Sequence, residues 1–511
     1  MKSLSAAYPA PGSISALFRI DIRTLALFRV LISTLVLVDL IIRSGDLQTM
    51  YADQGVIPIH LVTNHFQATW RWSLFWINGS IYFQAAMFAL TAMFALSLLV
   101  GFYTRIATIG SWILLTSLYN RIPFAVSGAD TLLVILYFWA MFLPLGRCWS
   151  VDAWQSKQTG KETEKTVLTG ATFAILIQVF LLYFCTGCYK AIYHAEPGML
   201  LQNTLEWGDY NRPLGNWLVG FPRLLGVLSL CAITFELLAP WLLLSPWKTS
   251  KVRLWTLSGL IALHLGIELT ISVALFSYVA AASFCLFLPS SFWDADFWKP
   301  VRSFFYPSKK TDTRRFQSVP KIKSPIYLFL FNVACIVLII NVVVLSVFGF
   351  FQRGELYTKP NFLNRVNELT MLNQRWSMFA TMQLTQTRMI AHARLNNGQE
   401  LDLLRVEPQS AGSLSPVQHP NHRWIKYFQA LSKKSTPKVF KYHYARWLFE
   451  NWNRSHSDSE QIQVLSLRRL RQRLVDEQNL TYKGTETLAV IRNDQLPIED
   501  TIQWGSPWRN P

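Results

Sequence analysis

The chain has 511 residues, of which 51% are apolar and only 15% charged. Soluble globular chains carry about a quarter charged residues, so the composition excludes a disordered chain and argues against a wholly soluble one. The net charge of +18 invites a nucleic-acid reading, but its distribution points instead to a bilayer. The 20 Trp residues agree, because an indole joins an apolar ring to an N–H that stays wet at a membrane surface.

Met1 to Arg23 has neither the apolar centre nor the small-residue cleavage site of a signal peptide, so the first apolar run reads as a retained span. Runs approaching the ~20 residues that cross a bilayer recur near 24–42, 80–101, 106–120, 130–146, 167–188, 224–245, 252–270, 272–289 and 324–350. The third and fourth are short. The seventh and eighth are joined by almost nothing and could form one broken hairpin. Trp70, Trp72 and Trp76 mark 54–79 as an interfacial or re-entrant segment. The expected architecture is a mainly α polytopic membrane bundle of about nine spans over residues 1–350. A small extracytoplasmic α+β domain over 351–511 should follow it.

Basic residues set the orientation. With a cytoplasmic N-terminus, the inner segments hold 19 Lys and Arg, eight of them between Lys299 and Lys323, against six in the outer loops. The six are Arg43, Arg71, Arg121, Lys190, Arg212 and Arg223. That is a positive-inside bias, and nine spans then place the C-terminal domain outside the cytoplasm. This domain carries 22 of the 48 Lys and Arg. A hairpin is predicted from Arg388 to Val406, with Asn396-Asn397-Gly398 as a turn whose residues accept positive φ. Arg423–Lys433 and Val439–Trp452 read as helices, Gln461–Leu467 and Thr487–Arg492 as strands. The basic stretch Arg468–Arg473 reads as helix-like. In a domain outside the cytoplasm it suits a solvated or headgroup-facing surface better than nucleic acid.

All six Cys lie in or beside apolar segments, so the C-terminal domain has no disulfide framework. Cys185 and Cys188 form a CxxC, read as two core cysteines or, less economically, as a thiol redox pair. Ionisable groups within spans cost about 2.5–3.5 kcal/mol each at a helix centre and persist only beside a partner or a cavity. Arg29 and Asp39, ten residues apart in the first span, cannot reach each other and each needs a partner elsewhere. Asp130 opens the fourth span and Glu236 lies in the sixth. His264 and Glu268, four residues apart, share one helix face. They suit a buried polar pair or a pocket wall; metal would need further ligands, and no H-E-x-x-H is present. Lys190 ends the fifth span. It either snorkels to the headgroups or, if held in a dry pocket, becomes a base at neutral pH. The chain has no P-loop, no GxGxxG after a strand, no GxSxG and no paired CxxC zinc pattern.

Five stretches together resemble the horizontally transferred transmembrane (HTTM) domain family, which is similar to vitamin K-dependent gamma-carboxylase. They are Arg19 to Arg29, Trp149 to Asp152, Leu182-Tyr183-Phe184 with Gly187 and Lys190, His264 with Phe276 to Val279, and Gln374 to Phe379. The resemblance covers about 20–290 well and 370–490 loosely. It implies a carbon–carbon lyase that uses reduced vitamin K or another quinol and no metal. Lys190 would deprotonate the quinol, and His264 and Tyr278 would line or support the pocket. Glu268, Glu236, Asp130 and Arg29 are further candidates for holding the cofactor. The substrate implied is an exported peptide or protein glutamate, the partner is membrane lipid, and the bacterial character of similar chains implies a cell inner membrane. The carboxylase has an assisting histidine near the start of its fourth span; here that position falls on Ala129, with Asp130 next to it as the substitute. The alternative is a non-catalytic lipid- or partner-binding membrane protein. A transporter would want inverted repeats, and the sequence shows no internal symmetry.

Overall fold

The computed structural model describes residues 14–158, 164–193, 197–206, 211–298, 325–351, 361–404 apart from 375, 377 and 380–384, then 421–476 and 479–492. The basic segment from Lys299 to Lys323, Arg375 and Ser377 of the quoted C-terminal motif, and Val406 at the end of the predicted hairpin lie outside the described residues.

Each predicted apolar run coincides with a helix. Helix α1 (Ile22–Ser44) starts at Asp21, whose carboxylate accepts from the Arg23 N–H and so satisfies a first-turn donor. Helix α2 (Ile81–Val100) starts under the Ser80 hydroxyl and stops at Gly101, which takes φ +74°. That left-handed turn returns the Gly101 N–H to the Ser97 and Leu98 carbonyls and is cheap only for glycine. Helix α3 (Thr104–Arg121) and α4 (Gly128–Ala140) follow. A capping box between Ser127 and Asp130 opens α4. Helices α5 (Gly170–Tyr193), α6 (Pro222–Leu243), α7 (Thr249–Thr270), α8 (Phe276–Phe284) and α9 (Pro325–Phe351) complete the set.

Length separates these helices. Among the described residues α1, α2, α5, α6 and α7 are long and apolar enough to cross a membrane. The run at 130–146 is a shorter helix than expected. It ends at Ala140, and Pro144, which cannot donate to a continuing helix, follows soon after. Helix α8 has nine residues and continues as a 3-10 turn, Cys285–Phe287. Nine full crossings therefore do not follow from helix length.

Helices α4 and α5 form the interior. Helix α5 packs on α6, α9 and α4, while α4 also packs on α3 and α8. Every residue from Leu132 to Ala140 is buried. At the other end of the bundle from Lys190, β1 (Ile20–Asp21) pairs antiparallel with β2 (Thr166–Val167) and ties the start of α1 to the start of α5.

The C-terminal part is a four-stranded antiparallel sheet in the order β4-β3-β5-β6, with β3 (Thr385–Leu395), β4 (Glu400–Asp402), β5 (Ile462–Asp476) and β6 (Asn479–Arg492). Gly398 takes φ +84° in the predicted turn. Helices α10 (His422–Leu431) and α11 (Lys438–Ser455) stand where helices were expected. Arg468–Arg473, read as helix-like, is instead part of β5. Leu467, Leu470 and Leu474 have helical spacing, but pairing to β3 on one side and β6 on the other overrides it.

One apolar core runs from the bundle into this cap. The segment 54–79 is the seam. Tyr427 donates to the Val56 carbonyl (3.3 Å), and Trp447 Nε1 to the Gln54 carbonyl (3.1 Å). Trp72 Nε1 reaches the Leu369 carbonyl (2.8 Å). The segment carries the short helix Ile59–Phe66 and serves as a ledge for the cap.

Candidate functional site

Lys190 occupies the last turn of α5 and is only 7% exposed. Its Nζ donates to both carboxylate oxygens of Glu236 on α6, at 2.7 and 2.8 Å. Glu236 is buried as well. The two helices meet closely because Gly187 has no side chain: a Cβ there would lie 3.0 Å from the Leu237 side chain and 3.1 Å from its backbone nitrogen. Of the two fates open to Lys190, snorkelling is not the one adopted.

Two turns before Lys190, Tyr183 lies on the same face of α5. Its hydroxyl is 2.6 Å from Nε2 of His264 on α7. The rings of Phe284 and Phe276 stand 5.5 and 5.9 Å from the imidazole. The Lys190 charge acts on His264, and the Glu236 charge acts on Tyr183. Four polar groups on three helices thus share one apolar enclosure. Nδ1 of His264 is buried and, among the described residues, has no hydrogen-bond partner. An unsatisfied buried nitrogen costs about 1–3 kcal/mol.

The other sequence candidates fall elsewhere. Glu268, one turn beyond His264, pairs with Arg212 at a more open edge. Tyr278 is 51% exposed, and among the described residues no hydrogen bond or ring contact ties it to Lys190 or His264. Arg29 is buried near the opposite end of α1 and donates to the Trp149 carbonyl. A Cβ on Gly101 would overlap its guanidinium. Arg29 and Asp39 do find separate partners, as their spacing requires. Cys185 and Cys188 are both free thiols.

Asp130 belongs to a second buried constellation. Arg43 donates to Asp39 (2.7 Å), to Asp130 (2.7 Å) and to the Tyr51 hydroxyl (2.8 Å). Arg423, from α10 of the cap, pairs with Asp39 and stands 3.6 Å from the second Asp130 oxygen. Two arginines and two aspartates balance in charge. Sequence reasoning missed Arg43, Arg423 and Tyr183 as partners. The four-residue spacing of Asp39 and Arg43 was a usable signal, as was the seven-residue spacing of Tyr183 and Lys190. Nothing local marks Arg423, which is 384 positions from Asp39.

Among the described residues no three His, Cys, Asp or Glu are placed to hold a metal. A cleft of about 450 Å³ lies between α10, the turn Pro123–Val126 and His65, and contains neither Lys190 nor His264. A family model described as the HTTM domain matches residues 18–293, a stretch that includes α1 to α8 and the whole Lys190 enclosure. No curated protein and no solved structure matches the chain.

Proposed function

The chain belongs to the HTTM family, and from that premise we propose that it is a membrane enzyme similar to the vitamin K-dependent gamma-carboxylases, with Lys190 as the initiating base. The observation that carries this reading is the burial of the Lys190 amine beside His264. A snorkelling lysine gains nothing from that position. A base that must act out of water requires it.

The residues present fit a quinol. The orphaned His264 Nδ1 is a ready partner for a ring hydroxyl, and Phe276, Phe284 and Tyr183 offer aromatic walls. A bound quinol, with oxygen, would supply the strong base needed to take a proton from a peptide glutamate before carbon dioxide adds. The chain's own residues do the rest. Glu236 holds the Lys190 ammonium by two hydrogen bonds and is the nearest acceptor for its proton. Tyr183 and His264 Nε2 share a proton across 2.6 Å and fix the ring that presents Nδ1. The apolar neighbours exclude water. Ala129 transfers no proton, and Asp130 is engaged with Arg43 and the Ser127 N–H, so His264 is the better assisting group. The same reading keeps the cytoplasmic N-terminus, the extracytoplasmic cap and the inner-membrane site, because exported peptides then meet the end of the bundle that holds Lys190.

A second reading has its own support. Most of the carboxylates singled out in the spans are ion-paired: Glu236 with Lys190, Asp39 with Arg43, Glu268 with Arg212. Such pairing is what a non-catalytic lipid-binding membrane protein would have, whereas the unpartnered His264 Nδ1 is what it would not need. The deciding experiment measures quinol-dependent incorporation of carbon dioxide into a glutamate peptide by membranes carrying the wild type, Lys190→Ala and Glu236→Gln. The enzyme reading expects incorporation by the wild type and a loss of about 10²–10⁴-fold in Lys190→Ala. Equal rates in that variant remove Lys190 from the mechanism. No quinol-dependent incorporation by the wild type leaves the non-catalytic reading.

A further inference from the structure

Carboxylation turns a C–H bond into a carboxylate, so each turnover of the proposed reaction releases one proton. The Lys190 enclosure gives that proton few places to go. Its polar groups are paired, Lys190 with Glu236 and the Tyr183 hydroxyl with His264 Nε2, and its walls are aromatic. An imidazole that takes a proton at one ring nitrogen can give one up at the other. On His264 the second nitrogen, Nδ1, is buried and has no hydrogen-bond partner among the described residues.

Two further buried polar atoms in the same state lie beyond it. Glu268 follows His264 by one turn of α7, a spacing that puts both side chains on one face. Arg212 holds Glu268 by Oε1, while Oε2 is buried and makes no hydrogen bond among the described residues. Ser277 follows Phe276, the ring beside His264, at the start of α8. Its hydroxyl acts on the Glu268 carboxylate yet stops short of a full hydrogen bond. An imidazole nitrogen, a hydroxyl and a carboxylate oxygen, all buried and unsatisfied, are what one ordered water joins. Exposure rises along the row: His264 is 4% exposed, the Glu268 side chain 14% and the Arg212 side chain 43%. The Arg212 N–H donates to the Thr270 carbonyl (2.9 Å), which seats that arginine over the last turn of α7. We propose that Glu268 is the proton exit of the enclosure. Through Ser277 and a bridging water, its Oε2 takes the proton that His264 gives up at Nδ1 and passes it to water at the Arg212 edge. The carboxylate gains one proton and loses it again, so the row is reset after each turnover. This inference rests on the enzymatic reading and gives it a further residue.

The full-length protein in membranes tests it, in the same carbon dioxide incorporation assay. Glu268→Gln keeps the shape of the side chain but cannot carry the proton, and its rate should fall about 10²-fold. Arg212→Gln breaks the same ion pair and keeps the carboxylate, so it should lose less than Glu268→Gln. Added formate should restore part of the rate of Glu268→Ala and none of that of Lys190→Ala, since a small carboxylate replaces the exit and not the base. A wild-type rate in Glu268→Gln, an equal loss in Arg212→Gln, or a Glu268→Ala loss that formate leaves unchanged overturns the exit and leaves Lys190 as the base. No quinol-dependent incorporation by the wild type overturns the enzymatic reading and the exit with it.

Discussion

At the scale of the residue, charge balance decides more than proximity. Asp39, Asp130, Arg43 and Arg423 form a buried set in which each guanidinium faces both carboxylates, and Arg43 also reaches the Tyr51 hydroxyl. Removing one member strands a charge where water cannot reach it, which costs about 3–5 kcal/mol; removing an opposite pair leaves the set neutral. Arg423→Met should therefore lower the midpoint of unfolding in detergent markedly. Arg423→Met with Asp39→Asn should recover a large part of the loss, because Arg43 and Asp130 still pair. A thermal melt of the two variants checks this, and equal losses would mean that Arg423 stabilises through packing alone. Lys190 and Glu236 obey the same rule. The sequence named both, but it could not show that they meet, since 46 residues separate them.

At the scale of the element, the turns between helices hold the bundle to its shape. Gly101 closes α2 with φ +74°, and its missing Cβ leaves room for the Arg29 guanidinium. Gly101→Ala pays the left-handed backbone strain, roughly 1–2 kcal/mol, and displaces Arg29 as well. Gly266, inside α7, has open space around its Cβ position, so Gly266→Ala should stabilise by roughly 0.5–1 kcal/mol. Melting temperatures of the two alanine variants should move in opposite directions; a Gly101→Ala loss no larger than the backbone strain alone would show that the Arg29 contact is dispensable. Elements were also what the sequence told best. Apolar runs found nine helices, and the Asn-Asn-Gly turn found the β3–β4 hairpin. Misreadings arose where local pattern and neighbours disagree. Arg468–Arg473 has helical leucine spacing but is held between two strands, and α4 stops short of its apolar run because Pro144 lies ahead.

At the scale of the whole molecule, cap and bundle act as one body through a seam rich in histidine. His443 bonds the Gly55 carbonyl (3.1 Å), and His65 packs against Phe440 and Phe124. His422 opens α10 next to Arg423. Burial lowers all three from the ordinary imidazole range, His422 to about 3, with Lys426 and Arg423 adding to its shift. The folded state thus binds fewer protons than the opened one, and the stability that these histidines contribute is present above about pH 6.5 and lost as pH falls below it. Limited proteolysis at pH 7.5 and pH 5 should show faster cleavage within 421–492 at the lower pH. His422→Gln with His443→Gln should flatten that difference, and an unchanged difference would assign it to carboxylates. None of this seam was legible in the sequence: its partners lie hundreds of positions apart, and only the tryptophans of 54–79 hinted that the segment rests against something.

The reach of Arg423 into the bundle has a consequence for biosynthesis. A ribosome releases Asp39 and Asp130 long before it releases residue 423. Until then the inserted helices hold two aspartates against Arg43 alone, with a net negative charge stranded in their interior. The last third of the polypeptide therefore completes the first, and a chain truncated before α10 should be recognised by membrane proteases as unfinished even though every bundle helix, α1 to α9, has been made.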